Sequence, residues 1–126
     1  MTSFSLNNNY IEKERYYGNM EYKLKFIHMS ECKIKKYATQ MKFRLIEGNG
    51  EAVYLIGVQD NGQIVGLDDD TIIESKKYLF QIAKEINSII SNFVTLRVEN
   101  SNRKILMANI KANFDMNKIF LLQDNL

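Results

Sequence analysis

The chain has 126 residues, 45% of them apolar and 25% charged, which suits one globular domain with room for a core. Its longest apolar runs are about seven residues, far short of the ~20 that cross a bilayer, and no secretory pattern opens it. Cys32 and His28 each stand alone, so neither an intrachain disulfide nor a cysteine-based metal site is available, and a cytoplasmic, reducing setting is expected.

The net charge of +2 conceals an uneven distribution. Between Glu21 and Ile46 seven basic residues face only Glu21 and Glu31, so the remainder of the chain is net acidic. Proline is absent and Asn, Lys and Ile are abundant, which reads as codon bias and does not by itself mark linkers.

Residues 1–19 are polar and show no clean period. A mobile N-terminal arm is expected there, with Tyr10, Ile11, Tyr16 and Tyr17 able to dock on the domain. From Met20, Tyr22, Leu24 and Phe26 alternate with Glu21, Lys23 and Lys25, the period of a strand with one face covered. Ser30 then offers an N-cap, and Ile34, Tyr37, Ala38, Met41 and Leu45 recur at helical spacing until Gly48 supplies a C-cap.

The continuous apolar run from Ala52 to Val58 predicts a strand covered on both faces. Asn61-Gly62 predicts a type I′ hairpin turn, with Gln63 to Leu67 returning. Asp68 to Asp70, ahead of Thr71 and Glu74, fit a capping box. The helix that follows would turn Ile72, Leu79, Ile82, Ala83, Ile86, Ile89 and Ile90 inward. Two further strands, 93–99 and 104–114, are expected around Asn100-Ser101-Asn102. The order β-α-β-β-α-β-β predicts an α+β two-layer sandwich over residues 20–114, with 115–126 as a tail.

No GxxxxGK[ST] phosphate loop, GxSxG or HExxH occurs. Gly57 and Gly66 sit where a strand loses stability to them, which fits either close packing of another backbone or a surface flattened for a ligand. Glu21 and Asp60 are the acids that could meet on neighbouring strands. Convergent carboxylates can hold a divalent cation for phosphodiester cleavage. The competing account pairs Glu21 with Lys23 or Lys25 and leaves Asp60 at its turn. Lys23, Lys25, Lys33, Lys36, Lys42 and Arg44 are candidates for phosphate contacts, against the alternative of a solvated charged helix face.

The segments EYKLK (21–25), TQMKFR (39–44) and EGNGEAVYLIGVQDNGQIVGL (47–67) together carry a resemblance. They resemble the N-terminal domain of the GTP-binding protein 1 and GTP-binding protein 2 family, divergent translational GTPases related to elongation factors Tu and 1-alpha. The strand from Ile105 to Lys111 is similar in kind to the one preceding the GTPase domain in that family. The resemblance implies an accessory domain facing RNA or the ribosome, with docking on its own GTPase domain or on an mRNA-decay partner as the alternative. It also implies a fragment without a cofactor of its own, GTP and magnesium belonging to a GTPase domain beyond Leu126.

A second similarity runs to the AlbA-type domain of Schlafen proteins. There an E-x-K strand (Glu21, Lys23) is followed by G-V-x-D-x-G-x-x-G (Gly57, Val58, Asp60, Gly62, Gly66). Its nuclease members carry a further Glu about five residues before E-x-K, where this chain has Tyr16, with Glu14 and Glu12 further back. It implies nucleic-acid binding and, as a lesser alternative, a metal-dependent ribonuclease.

Overall fold

The computed structural model describes residues 3–4 and 10–114. Its elements are β1 (Ser3–Phe4), β2 (Met20–Lys23), α1 (Glu31–Glu47), β3 (Glu51–Ile56), α2 (Asp69–Glu85), β4 (Ser88–Val98) and β5 (Lys104–Ala112). The sheet runs β1-β4-β5-β3-β2 and is mixed: β2 lies parallel to β3, and β3, β5 and β4 pair antiparallel. The expected α+β order holds. The returning limb of the hairpin, however, is reduced to the isolated bridges Val58–Ile64 and Leu67–Lys104.

Both helices cover one face of the sheet. Ala52, Tyr54 and Ile56 of β3 stand opposite Ile110, Ala108 and Leu106 of β5. These six join Met41 and Leu45 of α1 and Leu79 and Ile82 of α2 in the main core. Ser30 caps α1, its Oγ accepting from Lys33 N–H at 3.2 Å, and Asp68 caps α2 by accepting from Thr71 N–H at 2.8 Å. The α2 cap is therefore Asp68, and Glu74 is free to accept from His28 N–H at 2.9 Å. Replacing Ser30 by Ala should lower unfolding free energy by ~1 kcal/mol, read as a shifted urea midpoint.

Three expectations change. Val53 and Leu55 are only half-buried, so β3 is covered fully on one face, and its unbroken apolar run reflects a partly uncovered second face. Ile89 and Ile90 belong to β4, because α2 ends at Glu85 and Asn87 takes a positive φ of 50° that reverses the chain. In β2, Glu21 is buried as well as Tyr22, so charged residues do not simply alternate outward.

A small second cluster of Tyr22, Val58, Ile64 and Ile105 lies on the opposite face. It is closed by the hairpin and by part of the segment expected to be a mobile arm. Ile11 N–H donates to Gly62 O and Glu14 N–H to Asp60 O, both at 2.8 Å, and Tyr22 O–H donates to Glu12 O at 2.7 Å. Residues 10–19 are thus pinned to the domain. The rest of the expected arm, apart from β1, and the expected tail at 115–126 lie outside the described residues.

The glycines answer to this packing. Gly57 (φ 103°) accepts from Val65 and Gly66 N–H through one carbonyl, both at 2.9 Å, and a Cβ on it would press on Gly66 Cα and Leu67. Gly62 N–H donates to Gln59 O, and Gly62 alone of the turn pair takes positive φ, so the turn is type I followed by a left-handed glycine rather than type I′. A side chain at Gly62 would collide with the Ile11 carbonyl.

Candidate functional site

The polar centre of the domain lies between β2 and α1. Parallel pairing puts Glu21 beside Tyr54, on the helix-covered face, and α1 drops Arg44 onto it. Arg44 is 3% exposed and Glu21 7%. Arg44 Nε donates to Glu21 Oε1 at 3.0 Å, Nη1 to Gly18 O at 3.0 Å, and Nη2 to Arg15 O at 2.7 Å. Glu14 Oε2 lies 3.9 Å from the same guanidinium and accepts from Tyr22 N–H, an edge group of β2. One buried fork of donors therefore ties the strand, the helix and the 10–19 segment together.

Lys23 completes the group. Its Nζ is 3.7 Å from Glu21 Oε2, donates to Gln40 Oε1 at 3.2 Å and sits 4.8 Å from the Tyr37 ring centroid. Burial, then the hydrogen bond with Glu21, push the Glu14 carboxyl up to about 7, and the nearby Asp60 charge adds to this. Burial likewise pushes the Tyr54 phenol up, and its hydroxyl has no hydrogen-bond partner among the described residues.

The structure separates the basic candidates. Arg44 points inward and its donors are spent within the fold, unlike the surface lysines with which its position in the charge count grouped it. Lys25, Lys33, Lys36 and Lys42 are exposed, and no carboxylate of a described residue lies within ion-pair distance of Lys33, Lys36 or Lys42. At roughly 100° per residue, Lys33 and Lys36 share the flank of α1 above β2. Lys42 is turned to the opposite flank, so a single continuous wall of all these cations does not form.

The acidic candidates meet a partner the sequence reading left in the arm. Glu21 and Asp60 are linked through Glu14, whose N–H donates to Asp60 O and whose carboxyl faces Glu21. The signal for Glu14 was present, since an acid ahead of E-x-K is what the AlbA-type similarity implies. Arg44 sits against both Glu14 and Glu21. Among the described residues no group of three or more His, Cys, Asp or Glu is arranged to hold a metal ion. Nor is any described helix long and apolar enough to cross a membrane.

No protein-family model matches the chain. Over 82 residues, 65% of its length, it is 45% identical to GTP-binding protein 2 of Homo sapiens and of Mus musculus, a stretch equal to 14% of each. Over 85 residues, 67% of its length, it is 34% identical to an uncharacterized protein of Acanthamoeba polyphaga mimivirus, of which it covers 46%. Through a segment equal to 14% of those longer GTP-binding relatives, the chain is related to the GTP-binding protein 1/2 family.

Proposed function

We propose that this domain is an accessory domain of an elongation-factor-like GTP-binding protein and that it faces RNA or the ribosome. GTP and magnesium would be bound elsewhere in such a protein. The observation that carries the reading is the α1 flank above β2, where Lys33 and Lys36 stand exposed without an ion pair to a described residue, on the helix whose Gln40 and Tyr37 meet Lys23, while Lys25 lies apart beside Asp68. Phosphate neutralisation by a few such ammonium groups gives salt-steep, sequence-tolerant binding with dissociation constants of about 10⁻⁴ to 10⁻⁶ M. Lys42, on the other flank, would add to the general field more than to one contact.

Titration of labelled RNA at two salt concentrations tests this. Lys33→Glu with Lys36→Glu should weaken binding at least about tenfold and flatten the salt slope, and Lys42→Glu should do less. Absence of binding at low salt, or indifference to the double variant, would overturn it.

A second reading, docking on the GTPase domain of the same protein, is favoured by the face of the sheet that the helices leave uncovered. Met20 and Ile89 are exposed there, and Val53, Leu55, Val94 and Met107 are half-buried. It predicts a salt-insensitive complex with the isolated GTPase domain, lost on Met107→Lys.

A further inference from the structure

The segment pinned by Arg44 builds a second feature, on the free edge of β2. Residues 12–22 enclose an open cavity of about 300 Å³, lined by Lys13, Arg15, Tyr17, Gly18, Asn19 and Met20 among others. That volume is at the small end of ligand pockets, with room for one nucleobase. Its rim is aromatic and basic together. Tyr16 is 88% exposed and Tyr17 53% exposed, with their rings edge to face at a centroid separation of 5.6 Å. The Arg15 guanidinium lies 5.8 Å from the Tyr17 ring centroid. Glu12 pairs with Arg15 at 2.8 Å, and Lys13 has no ion pair with a described residue, so the lining keeps a net positive charge.

The backbone that carries these rings is not loose. Arg44 fixes the carbonyls of Arg15 and Gly18 on either side of them, and Glu14 fixes the backbone just ahead. A backbone already held still loses little entropy when a ring on it stacks, so the exposed tyrosines are pre-organised platforms. Rings with a free face beside cations form the arrangement by which single strands are bound, each base lying on an aromatic and its phosphate near a cation.

We infer that the cavity at the β2 edge receives an unpaired base of single-stranded RNA, stacked on Tyr17, with Lys13 and Arg15 meeting the adjoining phosphate. This rests on the RNA-facing reading and assigns it a site that the lysine flank alone does not supply.

The chain contains no tryptophan, so Tyr17→Trp introduces a single reporter. Its emission should be quenched by an oligouridylate of about eight nucleotides, with the midpoint that anisotropy of the labelled oligonucleotide gives. Duplex RNA, whose bases are already stacked, should quench it far less. Tyr16→Ala with Tyr17→Ala should weaken single-strand binding about tenfold or more while leaving the salt slope unchanged. The Lys33→Glu, Lys36→Glu variant should change the slope. Normal affinity in the tyrosine variant, or binding without quenching, would overturn the base site and leave the lysine surface standing. Loss of all RNA binding in the unaltered protein would overturn both.

Discussion

Arg44→Met should lower the unfolding free energy by about 3–5 kcal/mol, because it takes the guanidinium from the buried Glu21 carboxylate and leaves it only the Lys23 ammonium, 3.7 Å from its other oxygen. Glu21 would lose its only hydrogen bond from a guanidinium, and the carbonyls of Arg15 and Gly18 would lose their donors. Against a typical domain stability of 5–15 kcal/mol, such a loss leaves little margin. Urea unfolding measures it. Limited proteolysis should at the same time show new cleavage within residues 10–19, since that segment is released first. Adding Glu21→Gln to Arg44→Met should recover part of the loss, because an amide is far less costly to bury unpaired than a carboxylate. A change below ~1 kcal/mol would mean that water reaches the cluster and screens it.

The second large effect is on pH. The Glu14 carboxyl holds its proton up to about 7 in the folded protein, against an ordinary value of 4.5, with burial as the leading cause and the hydrogen bond to Glu21 next. A folded-state value raised above the unfolded one gives stability that is complete below the unfolded value and is lost as pH climbs through the folded one. Stability should therefore fall by roughly 1–3 kcal/mol between about pH 4.5 and 7. The groups facing Glu14 are Glu21 on β2, Arg44 on α1, Asp60 in the hairpin and the Tyr22 N–H. Glu14→Gln keeps an acceptor for Tyr22 and removes the titration, so its thermal midpoint should be nearly flat across that window. A wild-type profile that rises from pH 5 to 7, or an unchanged slope in Glu14→Gln, would contradict the assignment.

Much of the architecture was legible in local chemistry. Ser30 and Gly48 bounded α1 because a capping oxygen and a residue that ends a helix are needed at its two ends, whatever the fold around them. Asn100-Ser101-Asn102 marked the β4–β5 turn, where Asn100 takes a φ of 59°. The α2–β4 boundary was not legible, since Ile82 to Ile90 satisfies both a helical and an extended pattern. There Asn87, not hydrophobicity, ends the helix.

The sequence by itself determined the element order, the cationic character of α1 and the resemblance carried by residues 21–25, 39–44 and 47–67, because periodicity, caps and motif spacing are local properties. Only the tertiary structure decided which charges are exposed surface and which are framework. Arg44 and Lys36 look alike in a charge count. One turns in to neutralise Glu21, and the other points into solvent, because the phase of α1 over the sheet brings Arg44 within the covered side and leaves Lys36, roughly 80° further round the helix, outside it. Likewise nothing local tells that residues 10–19 are held. Their order comes from backbone bonds to the hairpin and from a guanidinium some thirty positions away, and burial is what makes such long-range pairing strong enough to fix a backbone.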